Sequence, residues 1–246
     1  VRARLDGARL DGASLDGASL VRARLDGARL DGASLVRARL DGARLDGASL
    51  DGASLVRARL DGASLDGASL VRARLVRARL PSPTMVLLAY WGEVSEQLCA
   101  DLMLFDAANH PDPSAFDRWA ASVGGGCPYL NCRVSRAAHF QERRSLWGKG
   151  KDSRPYDLMV RVLAEKCPEW TEDEVKKFNE DLANPLQVGD IVIPSEFEGG
   201  PGINDTMKAM CGKEYRVDYV GAWYTVGGWN WPRRALTKVE KSEPQK

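Results

Sequence analysis

The sequence predicts a multi-domain chain, with a coiled repeat over residues 1–80, a small α-helical domain over 86–183 and a β domain over 185–240. Three observations predict it. Leucine recurs at every fifth position from Leu5 to Leu80, with alanine two residues before each one. Apolar residues at helical spacing follow Met85, and from Pro185 apolar and polar residues alternate between Gly- and Pro-containing turns. Composition changes at the same boundary. Residues 1–80 hold 15 Arg and 10 Asp but no Lys, Glu, Cys, His or aromatic residue, whereas residues 81–246 hold all seven Trp, all five Cys and both His. The formal net charge of +1 is therefore a cancellation of about +5 and −4. The near-neutral total gives no global attraction to nucleic acid or to an anionic membrane. No run approaches the roughly 20 apolar residues that a membrane span needs. An odd number of cysteines in a chain this long fits a reducing, cytoplasmic compartment better than a disulfide scaffold.

Period five selects among structures for the repeat. On a helix, leucines five apart drift around every face, so no apolar stripe forms. Each of the ten glycines would cost about 1 kcal/mol inside a helix relative to Ala. A long flat strand fails as well, because an odd period sends successive leucines to opposite faces. A chain that turns every few residues satisfies the pattern, with Gly and Asp at the turns and Ala and Leu pointing the same way.

These Ala-x-Leu units, ARLDG, ASLDG and ASLVR from Ala3 onward, resemble those of the pentapeptide-repeat family. The resemblance implies a right-handed quadrilateral β-helix with four units per coil. It implies that Leu5, Leu10, Leu15, Leu20, Leu25, Leu30, Leu35, Leu40 and their successors to Leu80 are the central inward residues, with Ala3 to Ala78 as the smaller ones. Sixteen units then make four coils, about 20 Å long at ~4.8 Å between stacked strands. The sequence departs from the family at the residue between Ala and Leu, which is Arg or Ser where Asp or Asn is usual. Val-Arg pairs begin units at Val1, Val21, Val36, Val56, Val71 and Val76. Their successive gaps of 20, 15, 20, 15 and 5 predict that they do not keep to one face. The near-verbatim words also fit a young expansion, with Met85 as the expected start of the compact protein.

Residues 81–85 read as a short stiff linker. Val94, Leu98, Leu102 and Phe105 form a helical face. Ser114 caps a second helix carrying Phe116 and Trp119. Gly124-Gly-Gly is a break, and Ser135 opens a third helix with Ala137, Phe140 and Trp147. Tyr156, Met159, Leu163 and Cys167 lie on one side of a fourth. Thr171 and Glu174 form a capping box for a fifth, with Val175, Phe178 and Leu182 buried. In the β region, Ile191 to Pro194, Tyr215 to Tyr219, one or two segments within 220–232, and Leu236 to Val239 read as strands. Residues 241–246 read as a disordered tail. Val188, Gly189, Asp190, Val192, Met207, Cys211, Gly212, Lys213, Trp229, Trp231 and Leu236 resemble the pattern of small SH3-like β-barrel domains of phage and bacterial proteins. That likeness implies a fold rather than a ligand.

Cys127, Cys132 and His139, with His110 or Cys167 as a fourth, are the candidate zinc ligands, and the four residues between Cys127 and Cys132 are a spacing zinc permits. The third and fourth positions do not follow the usual zinc spacing, so no metal is assigned. No motif implies a cofactor. Cys99 reads as core. Glu169, Glu172, Asp173 and Glu174 read as a helix start, where negative charge suits the dipole. Arg143, Arg144, Lys149, Lys151 and Arg154 read as a solvated loop. The aromatics of the last domain are the candidate binding residues: Tyr219, Trp223, Trp229 and Trp231, with Arg233 and Arg234 beside them. Aromatic side chains can grip a partner segment, or stack bases while arginines meet phosphates. The reading is a non-enzymatic adaptor or structural protein of bacterial or phage origin. It binds a protein partner through the C-terminal β domain, and the alternative is a nucleic-acid-associated protein using the same Trp/Arg cluster.

Overall fold

The computed structural model describes residues 3–121, 128, 137–179, 182, 191–194, 210–211, 213–220, 224–226, 229–231 and 236–238. The chain divides into two compact units, Val1–Asn179 and Glu180–Lys246.

In the first unit the repeat winds into a solenoid. The residue between Ala and Leu bridges in parallel to the residue 20 positions on, as in Arg4 to Arg24 and Arg59 to Arg79. Four five-residue units therefore complete one turn. Each unit closes with a turn in which the next Ala N–H donates to the Leu carbonyl, as Ala28 does to Leu25 at 3.0 Å. Coils are joined by N–H donors from three positions of each unit. Leu25 donates to the Arg44 carbonyl (2.8 Å), Gly27 to Asp46 (2.8 Å), and Arg44 to Ala23 (2.9 Å). This satisfies the backbone of a chain with no long strand and no helix. Ala23 through Leu80 are buried at the Ala and Leu positions, and Leu25 to Leu60 are at most 1% exposed. Leu5, Leu10 and Leu15 are half-buried, being in the first described coil with a neighbouring coil on one side.

The residue before each alanine is left-handed in every described turn. Glycine takes this position with φ between +64° and +68° at ten units, while Arg22, Arg37, Arg57, Arg72 and Arg77 take it with φ of +55° to +60°. A side chain there carries a conformational penalty of about 1 kcal/mol. Gly47 (φ +66°) has open space where a Cβ would go. Gly47→Ala is therefore expected to lower stability by about 1 kcal/mol through the backbone alone, read as a shift in urea midpoint without a change in slope. No loss of stability would mean that the turn relaxes out of the left-handed region.

The solenoid runs directly into helices. Residues 81–85, expected as a linker, instead begin helix α1 (Pro83–Leu88). Ser82 caps it, accepting from the Met85 N–H at 3.4 Å, and Pro83 occupies the first helical position. Proline there removes an N–H that has no helical partner anyway. Beyond α1 the chain returns to the coil. Tyr90 bridges to Ser69, donating to the Ala68 carbonyl and accepting from Leu70, both at 2.8 Å. Trp91 locks the turn by donating to the Val86 carbonyl at 2.9 Å.

Helix α2 (Glu96–Ala108) carries the expected face, with Leu98, Leu102 and Phe105 buried. Ser95 before it donates its N–H and hydroxyl to Glu165 at 2.9 and 2.7 Å. Helix α3 (Ser114–Ala121) buries Phe116 and Trp119. The third expected helix is shorter than the sequence suggests. Helix α4 (Ala137–Glu142) gives way to a single 3-10 turn at Arg144–Leu146, and Trp147 lies beyond it, before Gly148 at φ +79°. Helix α5 (Pro155–Lys166) packs on α1, and α6 (Glu172–Phe178) packs on α5. Thr171 caps α6 by accepting from the Glu174 N–H at 3.3 Å. Gly150 passes so close to α2 that a Cβ would lie 2.5 Å from the Ala100 carbonyl. Beside it, Asp101 fixes the loop by accepting from the Lys151 N–H at 2.6 Å while pairing with Arg161 at 2.6 Å. The Gly124 break and the Ser135 cap lie outside the described residues.

The second unit holds a five-stranded antiparallel sheet in the order β4-β3-β2-β1-β5. Its strands are β1 (Ile191–Pro194), β2 (Tyr215–Val220), β3 (Tyr224–Val226), β4 (Trp229–Trp231) and β5 (Leu236–Lys238). The first strand pairs with the last, Val192 with Lys238 and Pro194 with Leu236, and also with β2 through Ile191 and Arg216. A register shift interrupts the β2–β3 ladder between Val217 and Tyr219. Val192 is fully buried and Met210 is 6% exposed. The 241–246 tail lies outside the described residues.

Candidate functional site

Two regular features line the outside of the solenoid. The first is a ladder of carboxylates. The Asp that opens each of nine units faces the Arg or Ser 18 positions on, one coil along. Asp6 pairs with Arg24 (3.3 Å), Asp11 with Arg29 (3.4 Å), Asp26 with Arg44 (3.1 Å), Asp41 with Arg59 (3.0 Å) and Asp61 with Arg79 (3.2 Å). Where Ser stands instead, its hydroxyl donates to the same carboxylate, as Ser34 does to Asp16, Ser49 to Asp31, Ser64 to Asp46 and Ser69 to Asp51. Arg and Ser are both donors, which explains how they replace the usual Asp or Asn between Ala and Leu. Asp41 sits deepest, its side chain 3% exposed. Burial raises its pKa to about 6, with Arg59 opposing the shift and Asp61 adding to it.

The second feature refines the reading of the Val-Arg pairs, which as a set do not share one face although three of them do. Val36, Val56 and Val76 are 20 residues apart, since the gaps of 15 and 5 on either side of Val71 add to one full turn. With four units per coil, the three pairs stack on one face. They line a groove of ≈ 690 Å³ with Arg37, Arg57 and Arg77, closed by Asp16 and Gly17 at one end and Glu169 and Glu174 at the other. Consecutive gaps hid this phase, and gaps taken modulo 20 display it.

The C-terminal end of the solenoid is covered by the helices. Arg74 pairs with Glu169 (3.9 Å) and Arg77 with Glu174 (3.3 Å). The Leu80 N–H donates to Asn179 Oδ1 at 3.0 Å, and Asn179, 1% exposed, donates to the Val175 carbonyl at 3.1 Å. Two of the four crowded carboxylates thus hold the repeat, while Glu172 pairs along α6 with Lys176 at 2.7 Å. Cys167 is buried and its thiol faces the Ala73 carbonyl. Burial pushes its pKa up to about 12, the opposite of a nucleophile.

Of the residues considered for zinc, Cys127 and Cys132 lie outside the described residues. Among the described residues no group of His, Cys, Asp and Glu is placed to hold a metal ion. His110 uses both ring nitrogens on backbone. Nε2 faces the Pro128 carbonyl at 3.1 Å and so donates, which leaves Nδ1 to accept from the Asp112 N–H at 3.0 Å. His139 is 6% exposed, and its Nδ1 accepts from Arg143 at 2.7 Å. Burial, then the Arg143 charge, lowers its pKa. Cys99 is fully buried. The three arginines from Arg143 to Arg154 go to separate partners. Arg143 reaches Glu93 (3.8 Å), Arg144 lies 5.2 Å over the Trp119 ring, and Arg154 pairs with Asp157 (2.8 Å).

Of the candidate binding residues, Trp223, Arg233 and Arg234 lie outside the described residues. Register puts Trp231 opposite Tyr224, which pairs with Val220, and Trp229 opposite Val226. Tyr219 pairs instead with Thr225, in the row that continues to Asn230. Tyr219 thus belongs to a different cross-strand row from either tryptophan. No described helix is long and apolar enough to cross a membrane.

The stacked coils, inward Ala and Leu and outward polar ladder define a β-solenoid with four five-residue units per turn. The chain matches the profile of the Pentapeptide repeats over residues 3–42 and 43–80. Through those residues it belongs to the pentapeptide-repeat family. Among solved structures it is similar to the pentapeptide repeat protein Rfr23 from the cyanobacterium Cyanothece 51142, at 33% identity and TM-score 0.34, over 37% of this chain. The chain covers 62% of Rfr23, less than two thirds of its length. It is also similar to alr5209, a pentapeptide repeat protein from Nostoc PCC 7120, at 30% identity and TM-score 0.18, over 37% of this chain and 83% of that one. With QnrB1, a plasmid-mediated fluoroquinolone resistance protein, the identity is 18% and the TM-score 0.16, over 39% of this chain and 58% of that one. Overlays this loose add nothing to the family profile and the coil geometry. No curated protein matches the chain.

Proposed function

We propose that the protein is a non-enzymatic adaptor or structural protein that binds a protein partner. The observation that carries this reading is the solenoid, hydrogen-bonded from coil to coil and covered by helices at its C-terminal end. Such an array holds exposed side chains at fixed spacing, which suits recognition by surface rather than chemistry in a cleft. The second unit supplies the other half of the reading. Its order β4-β3-β2-β1-β5, with the first strand between the second and the last, supports an SH3-like barrel over 185–240. In that reading the boundaries 1–80, 86–183 and 185–240 are three functional segments. Tyr219, Trp223, Trp229, Trp231, Arg233 and Arg234 form the partner surface. A cytoplasmic setting and a bacterial or phage origin complete it. The buried free thiols of Cys99 and Cys167 support a reducing compartment.

The test is affinity capture with the full chain and with W229A/W231A, each first checked for an unchanged melting temperature. Loss of a reproducible protein from the variant capture supports the reading. An identical set of captured proteins overturns it, as does salt-sensitive retention of nucleic acid that the variant loses.

A further inference from the structure

We propose that the Val-Arg face of the solenoid is a docking groove for an extended acidic segment of a partner protein, separate from the surface proposed for the second unit. Its rungs are Arg37, Arg57 and Arg77, exposed and one coil apart, above a floor of half-buried Val36, Val56 and Val76. At ~4.8 Å per coil, the outer rungs are about 10 Å apart, the length of three extended residues. Arg37 and Arg57 make no side-chain ion pair or hydrogen bond to any described residue. This contrasts with the Arg rungs of the neighbouring ladder, which are met by carboxylates. The groove therefore offers cationic donors that the fold itself does not use.

Backbone conformation points the same way. Arg37, Arg57 and Arg77 hold φ of +60°, +58° and +57°, where ten other units have glycine. Folding alone is better served by glycine at such a turn, so arginine kept there in three consecutive coils, held by Glu174 at Arg77 but not engaged at Arg37 and Arg57, is a strain with a candidate use.

The ends of the groove decide the class of occupant. Asp16 closes one end, held in place by the Ser34 hydroxyl and by the Val36 N–H at 3.0 Å. Glu169 and Glu174 close the other. A long polyanion such as a nucleic acid strand would run into carboxylates at both ends. A peptide with two or three central acidic residues and basic residues on either side matches the charge order along the whole groove. Its aliphatic stems would lie on the valines.

The experiment uses the full chain and a fluorescein-labelled octapeptide with three central glutamates flanked by lysines, read by anisotropy at low and physiological salt. R37G/R57G is the informative variant, because glycine suits both turns and the array stays folded. Binding that weakens with salt and falls at least tenfold in R37G/R57G, but not in W229A/W231A, supports the proposal. The same peptide with glutamines in place of glutamates must bind at least tenfold more weakly. The proposal is overturned if the wild-type chain does not bind the peptide or if R37G/R57G binds it equally. It is also overturned if duplex DNA binds the same arginines more tightly, or if sedimentation shows a dimer of this chain that R37G/R57G dissolves.

Discussion

Leu50→Ala is expected to lower the unfolding free energy of the first unit by about 3–4 kcal/mol, within the range for fully buried leucines. Leu50 is fully buried, with Leu30 one coil below and Leu70 one coil above, both at most 2% exposed. Its neighbours are held by coil-to-coil hydrogen bonds on every side, so they cannot collapse into the space of the lost methyls. The cavity term is then added in full to the lost transfer free energy. The same substitution at half-buried Leu10 is expected to cost about 1–2 kcal/mol, since less surface leaves water on folding. Urea denaturation of the full chain, followed by circular dichroism, measures both. Equal losses at the two positions would show that the coils do not pack as one continuous core.

The second large effect is a reversed pH dependence at Asp41. Its pKa is about 6 in the folded protein, chiefly through burial, against about 3.9 in an unfolded chain. The folded state therefore holds the proton more tightly. The stabilisation is complete below pH ~4 and is lost as pH rises through about 6, in total on the order of 3 kcal/mol. The facing groups are Arg59 at 3.0 Å, Arg39 at 3.8 Å and Asp61. Asn approximates the protonated carboxyl, and Arg59 retains Asp61 at 3.7 Å. Asp41→Asn should therefore raise stability at pH 7 and leave it nearly unchanged at pH 4. Exposed carboxylates whose pKa is lowered, such as Asp112 and Asp157, act in the opposite sense but equally in both proteins. The difference between the two urea-midpoint curves thus isolates Asp41. Parallel curves from pH 4 to 7 would sink the prediction.

Much of this architecture was legible in the residues. The five-residue period excludes helix and flat strand by geometry, and the inward Ala and Leu follow from it. The helical faces of α2, α3 and α5 and the Thr171 cap of α6 were readable because each is a local pattern. What escaped reading is non-local or hinges on one residue's alternative use. Pro81-Ser-Pro-Thr signals a break, yet Ser82 followed by Pro83 is equally a helix start, and packing on α5 selects that use. The return of Tyr90 to the coil, 21 residues after Ser69, follows no repeat spacing. The covering of the solenoid by Glu169, Glu174 and Asn179 joins residues nearly a hundred positions apart. The Val-Arg groove was present in the spacing and in the expected coil of 20, but gaps read one after another concealed that three of the pairs share a phase.

The carboxylate ladder makes the array a counting device. Nine of the ten Asp find their donor 18 positions on, so the unit of safe change is a whole coil and not a single repeat word. Deleting residues 46–50 would leave the Ala-Leu interior intact, because each word is interchangeable there. The exterior would be rewritten. Asp41 would meet Ser64 in place of Arg59, and Val36 would lie beneath Asp61 in place of Val56. A sequence whose words invite slippage in steps of five is thus folded into an object that keeps its outer pattern only in steps of 20.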